Sequence, residues 1–465
     1  MRGFDHIGIR RLLLVMMLAV WMALPHGGVQ EAAGQSVSQL IAFGSADDPR
    51  EQIQRVWWRR ETFLYASGGL SLIAAQWRGA SNLTMDLVTR PITARINGTI
   101  RAGVLGEYEP DLDEAYDLIR LVEFARYNPP RRHPVHLRAG LIDRMRLGIG
   151  HVVNFFNSSM AWDERTVGAE FIWQGRTVEV AGFTDNVLFD GVVGGRFALR
   201  PLSWTRAPHT QTAQIGFNYV TDRAARPPDR PRLEAFNVDL QFDLFNSGSI
   251  FFAPYASYAW YPDFGDGIAF GADLYSQRFI DLFSFRFRLG LFYNSREFIP
   301  GFVGAFYTVH NPQARIVASG TDLNNIQDDD LAGIALQDGR GANDLLTEFK
   351  LVIFDSFELW YYFRRHYGEQ RLSELHLRLF LRSSDKLRIE IGIDRTGLGS
   401  FFTLFNDMDD QSALVFGTDY KLAGPIYLFL RARYSYERID DGQDHAQRYL
   451  VQRRFEPFTG VRFRF

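Results

Sequence analysis

Residues 282–294 read LFSFRFRLGLFYN. Phe283, Phe285, Phe287, Leu289 and Leu291 fall on one face of an extended chain, and Ser284, Arg286, Arg288 and Gly290 fall on the other. Successive side chains of a strand point to opposite faces, so this period of two predicts a strand with one apolar and one cationic side. Three further stretches repeat the pattern. Residues 374–382 (ELHLRLFLR) set Leu375, Leu377, Leu379 and Leu381 against His376, Arg378 and Arg382. Residues 386–395 (KLRIEIGIDR) set Leu387, Ile389, Ile391 and Ile393 against Arg388, Glu390 and Asp394. Residues 425–437 (PIYLFLRARYSYE) set Ile426, Leu428, Leu430 and Ala432 against Arg431, Arg433 and Glu437.

Such faces suit either a half-buried antiparallel sheet or a membrane barrel. A charge at mid-membrane on a lipid-facing position costs about 2–4 kcal/mol, so there one face must be uniformly apolar while the other tolerates charge in a wet lumen. Number and end decoration decide between them. About sixteen to eighteen segments of this kind can be traced. Many end in aromatic residues, as an interfacial girdle requires: Trp173, Tyr219, Tyr258 with Trp260, Tyr293, Tyr361 with Tyr362, and Tyr434 with Tyr436. The first half alternates less cleanly, through 81–90, 92–104, 134–148, 166–175, 176–184 and 194–202. Short turns are expected at Gln174-Gly175, Asn246-Ser247-Gly248, Asp355-Ser356 and Ser383-Ser384-Asp385. The 465 residues include 40 Phe, 19 Tyr and 9 Trp, an aromatic share that fits this reading. There is no cysteine, which excludes disulfides and thiolate metal sites. A net charge of −3 does not suggest a nucleic-acid partner.

The two ends add direction. Arg2, Arg10 and Arg11 precede the apolar run 12–25, and Ala32-Ala33-Gly34 follows, so residues 1–34 read as a cleaved secretory signal. The apolar run is short for a membrane span, and no second one follows, which excludes a helical membrane protein. The chain ends Phe458-Thr459-Gly460-Val461-Arg462-Phe463-Arg464-Phe465, with Val461, Phe463 and Phe465 on one face. An alternating final strand with a terminal Phe, behind an export signal, resembles Gram-negative outer-membrane β-barrel proteins of the porin-like kind. The resemblance covers about the last eight residues. It implies that Val461, Phe463 and Phe465 are read by the barrel-assembly machinery. It also implies that the barrel sits among outer-membrane lipid and lipopolysaccharide.

The expected architecture is all-β: a transmembrane, antiparallel, up-and-down barrel of about 16 strands, with 14 or 18 as alternatives. It would occupy residues 62–465, after a periplasmic segment at 35–61. Three stretches interrupt the strands. Residues 46–60 and 111–127 read as helices, the second as a cap on a long loop or an element inserted in the lumen. Residues 298–341 read as a long loop, either external or folded inward to narrow a pore.

No enzyme motif stands out, and no cofactor is implied. His133 and His136 read as part of a polar loop. Asp322, Asn324, Asp328, Asp329 and Asp330, and the loop 406–410, read as solvated acidic loops lacking EF-hand spacing. His366 and Ser373 lie near strand ends, with nothing to pair them as a hydrolase would need. The informative set is the arginine face. Arg286, Arg288, Arg364, Arg378, Arg382, Arg388, Glu390, Arg431, Arg433 and Arg462 are the expected pore-lining residues. Rows of arginine on a wet wall favour anions, whereas ladders of arginine and acid that satisfy each other would only hold the barrel's shape. The expected function is a porin-like channel for passive passage of small polar solutes, anionic ones among them. The alternatives are a transporter of hydrophobic substrates of the fatty-acid type and a closed structural or adhesive surface barrel. A plugged receptor with 22 strands is not expected from a chain of this length.

Overall fold

The computed structural model describes residues 62–465, except 90–91, 104–105, 108–110, 112–114, 128–134, 206–210, 224–232, 248–249, 263, 280–282, 311–313, 318–330, 333–341, 355, 369–372, 384–385, 399–410 and 440–446. The signal sequence, the segment 35–61 and the helix read at 46–60 lie outside the described residues.

Among the described residues the wall has twenty strands in chain order. They are β1 (Phe63–Ile73), β2 (Gln76–Val88), β3 (Ile92–Gly103), β4 (Val122–Tyr127) and β5 (Val135–Gly140). Next come β6 (Gly168–Gln174), β7 (Val178–Thr184), β8 (Val192–Leu199), β9 (Gln214–Asp222) and β10 (Glu234–Gln241). The ring continues through β11 (Ile250–Tyr261), β12 (Gly265–Phe279), β13 (Phe283–Asn294), β14 (Asn343–Ile353) and β15 (Phe357–His366). It ends with β16 (Ser373–Ser383), β17 (Leu387–Leu398), β18 (Ser412–Ala423), β19 (Ile426–Ile439) and β20 (Gln447–Arg464). Each pairs antiparallel with its neighbours, and β20 closes on β1 with Phe463 opposite Leu64 and Val461 opposite Ala66. A closed ring leaves no strand edge, the condition for a sheet to cross a bilayer.

The outer face is apolar and open. Leu83, Phe217, Phe270, Leu289 and Leu291 are each exposed on alternate positions. Tyr219, Phe236, Tyr258 and Trp260 form an outward aromatic cluster across β9–β11, with ring centroids 5.0–5.6 Å apart. The Tyr219 and Tyr258 hydroxyls donate to Glu234 and Asp266 respectively, as interfacial tyrosines do. Two expected girdle residues sit elsewhere: Tyr362 faces the lumen, and Tyr436 is buried against Phe306.

Twenty strands replace the expected sixteen for two reasons. First, β4 lies inside the stretch read as a helix. Among the described residues there, the α-helix spans only Asp117–Arg120, and Val122–Tyr127 pairs with β3 and β5 instead. Its β-branched and aromatic residues meet neighbours on both edges, and that pairing overrides the helical period. Second, β1 (Phe63–Ile73) and β18 (Ser412–Ala423) lie outside the stretches read as strands. Strands β5–β8 lie within those stretches, but they are only 6–8 residues long. Their inward positions mix buried apolar residues, Ala181, Phe183, Val192 and Ala198, with buried charged ones, Arg138, Glu170, Glu179 and Arg196, so the alternation fades.

Strand β5 also stops at Gly140, short of the expected 134–148. Gly140 has φ +131°, and a Cβ there would lie 2.5 Å from the Glu123 carbonyl oxygen. The chain leaves the wall at this glycine and turns into the lumen.

Candidate functional site: a partly filled, arginine-lined lumen

Two segments from the barrel end opposite the chain termini fold inward. Residues 141–167 link β5 to β6, and nearly every side chain in them is buried. Residues 298–309, from the long connection between β13 and β14, lie beside them and are also largely buried. Met145 and Phe156 exchange backbone hydrogen bonds of 3.0 Å, which makes a small hairpin. Asn154 N–H donates to the Val303 carbonyl (3.1 Å), and Val303 N–H donates to that of Val152 (3.2 Å). The two segments therefore share one ladder. Apolar side chains then seat them on the wall: Met145, Val153, Phe156, Phe298 and Val303 pack on Phe183, Val220, Ala235 and Tyr261.

A second set of anchors is polar and aromatic. Arg146 donates to both Glu348 oxygens (3.3 and 2.9 Å), and both side chains are buried. Trp360 Nε1 donates to the same carboxylate at 2.9 Å. The Phe155 ring lies 4.8 Å from Trp360 and Tyr362 and stacks on His376 at 4.3 Å. Ion pairs this dry are stable only where each charge is met, and here each is.

The arginines expected to line a pore divide into two groups. Arg288 is fully buried, held by Asp273 at 3.0 Å, and donates to the Ile149 carbonyl (3.0 Å) of the inward segment. Arg286 also meets Asp273 at 3.2 Å. Arg364 is buried between Asp344 and Glu374, each at 2.9 Å. Arg378 grips Asp394 with two bonds of 2.8 Å. These four brace the wall and the inward segments. Arg382 sits on β16, and its side chain lies outside the described residues.

Arg388, Arg431 and Arg433 belong to the other group. They line a cavity of about 180 Å³ against β1–β4 and β17–β20, the side the inward segments leave unfilled. Arg95, Arg101 and Arg454 line it too, and were not picked out from the sequence. The alternation of 92–104 sets Arg95 and Arg101 on the polar face opposite Ile96 and Ile100, and the expected pore lining takes in only arginines of the C-terminal strands. The lining acids are Glu123, Asp419 and Glu456. Arg95 is held by Asp86 (2.8 Å), Arg101 by Glu456 (2.7 Å) and Arg388 by Glu390 (3.0 Å). Arg431 pairs with Asp419, and Arg454 with Asp163 (2.5 Å) of the inward segment. Tyr65, Phe416, Phe429, Phe458 and Trp162 supply aromatic wall. Arg462 lies nearer the termini end, 3.9 Å over the Tyr427 ring.

Other expected features fall as follows. His366 Nδ1 meets Asp344 at 2.6 Å, while its backbone N–H donates to Ser373 Oγ at 3.0 Å. A Cβ on Gly368 would lie 2.3 Å from His366 Nε2, so that nitrogen faces Gly368. His136 lies on β5 among the described residues, and His133 lies outside them. The acidic stretches around 322–330 and 406–410 lie outside them as well. No group of three metal-ligating side chains exists among the described residues.

A closed ring, apolar outside and charged inside, defines a transmembrane β-barrel, the architecture of outer-membrane porins. No protein-family model matches the chain, and no curated protein matches it. Solved barrels do. OccAB3 of Acinetobacter baumannii is similar at 10% identity and TM-score 0.31, covering 87% of this chain and 98% of that one. OccK9 (OpdG) of Pseudomonas aeruginosa is similar at 11% identity and TM-score 0.30, with the same coverage. CdiB from Acinetobacter baumannii is similar at 7% identity and TM-score 0.26, and this chain spans 60% of its length. At these scores no residue role or solute passes from them to this chain, and the barrel assignment rests on the ring itself.

Proposed function

We propose that this protein is an outer-membrane channel for small anionic solutes. One observation carries the reading: six arginines line this side of the lumen, and one of them, Arg433, has no acid within ion-pair distance among the described residues, while the other five are met by carboxylates. In a low-dielectric wall an uncompensated guanidinium focuses a positive field on a narrow space and draws anions to it. The inward segments narrow the ring, and the cavity beside them holds about 180 Å³, below the roughly 300–1,000 Å³ of ordinary ligand pockets, which supports a small solute. The end opposite the chain termini, which carries the long connections, would face outward.

The test is single-channel conductance of the refolded mature barrel in a planar bilayer, with a KCl gradient. Stable steps with a reversal potential favouring chloride are expected, and neutralising Arg388, Arg431 and Arg433 together should move it toward potassium. Folded, inserted protein that passes no current would sink the channel reading. It would favour the closed structural barrel, a reading supported by the tight packing of the inward segments.

A further inference from the structure

Five of the six cavity arginines meet a carboxylate. Arg433 does not: among the described residues no acid lies within ion-pair distance of it. Its guanidinium instead rests 3.4 Å from the centroid of the Trp162 ring. A second guanidinium, Arg165, lies 4.5 Å from the same ring and donates to the Trp162 and Arg120 carbonyls. Stacking covers the flat face of a guanidinium and leaves its N–H edge free. That edge is a fork whose geometry matches the two oxygens of a carboxylate.

Trp162 is held in place from both sides. Tyr436 N–H donates to the Met160 carbonyl at 3.0 Å, and Ala161 bridges to Tyr436, three residues beyond Arg433 on β19. Asp163 is clamped by Arg454. The ring that seats Arg433 is therefore fixed to the wall, and Arg433 and Trp162 both line the cavity.

We infer that Arg433, seated on Trp162, is a discrete binding subsite for a planar oxyanion, and that Trp162 is its positioning residue. The inference rests on the anion-channel reading and deepens it. The field of the whole wall sets preference for anions over cations. The Arg433 fork sets preference among anions, carboxylate over halide.

The experiment separates the two. Chloride current through the full barrel is measured as acetate is titrated in, for the native protein, Arg433→Lys, Arg433→Gln and Trp162→Leu. Strand content by circular dichroism confirms that each is folded. Arg433→Lys keeps the charge and loses the fork. It should keep the reversal potential and weaken acetate block about tenfold or more, the effect of one charge-assisted hydrogen bond. Trp162→Leu should do the same, and Arg433→Gln should shift the potential as well. Unchanged block in both Arg433→Lys and Trp162→Leu would overturn the subsite and leave the anion channel standing. Should the native barrel pass no current, the channel reading fails. The subsite is then judged by saturation-transfer NMR of acetate on the folded barrel. A signal lost in Arg433→Lys supports it, and no signal in the native protein overturns it.

Discussion

Replacing Arg146 with Met should release the inward segment from the wall without opening the ring. Arg146 and Glu348 are both about 1% exposed, and the pair joins segment 141–167 to β14. Met keeps most of the apolar stem but strips Glu348 of its counter-charge, leaving Trp360 Nε1 as its neutral donor. Breaking a buried pair from one side costs about 3–5 kcal/mol. The strands keep their own ladders, so the cost falls on the docking of the segment. It should raise the segment's open population by roughly 10²- to 5 × 10³-fold. The assay is hydrogen exchange by mass spectrometry on the barrel in detergent, following peptides from 141–167 and from β14. The segment should exchange faster by that factor while the strands stay protected. Adding Glu348→Gln should restore most of the protection, because it removes the stranded charge and keeps an acceptor for Trp360. Unchanged exchange in the single variant would show that apolar packing alone docks the segment. Equal loss in single and double variants would refute the stranded-charge argument.

Two further outcomes follow from the same lumen. Gly148 has φ +61°, and a Cβ there would lie 2.5 Å from Arg196 Nη1 and 2.7 Å from Asp239 Oδ2. Gly148→Ala should cost about 1 kcal/mol or more through backbone strain and displacement of the Arg196–Asp239 pair, read as a lower thermal midpoint of the folded barrel. Asp185, in the turn after β7, is buried beside Asp222 and Asp190, and burial first, then those charges, push its carboxyl up to about 8. The folded state thus holds a proton that the unfolded chain, near its ordinary value of about 4, releases. That stabilisation is full below about pH 4 and is lost as pH rises to about 8. Asp185→Asn, which cannot ionise, should therefore gain thermal midpoint over the native barrel between pH 5 and pH 8. The gain should level off above that. A gap independent of pH would contradict the buried-acid assignment.

The wall was legible wherever its two sides differ. In β13, β16, β17 and β19 the outward residues meet an apolar surrounding and the inward ones meet charge, so one period of two states the fold residue by residue. The pattern fails where the lumen is filled. Along β5–β8 the inward Phe183 and Val192 pack on the inward segments, and nothing in a local window separates them from outward Val180 or Phe197. Residues 141–167 carry no regular period, because they satisfy no single face. Their contacts are with β7, β10, β14 and β15, hundreds of residues away in part.

The division of the arginines has the same origin. Alternation alone placed Arg286, Arg288, Arg378, Arg388, Arg431 and Arg433 on one face and made them equivalent. Their roles diverge through partners from elsewhere in the chain. Asp273 and the Ile149 carbonyl turn Arg288 into a brace, Asp394 does so for Arg378, and Trp162 leaves Arg433 with its N–H edge free. Side-chain period, charge and the terminal strand are local properties, and they determined an antiparallel barrel with a polar interior. Strand number, the filling of the lumen and which cavity arginine has no carboxylate partner among the described residues depend on which distant segments meet. Only the closed tertiary structure decided those.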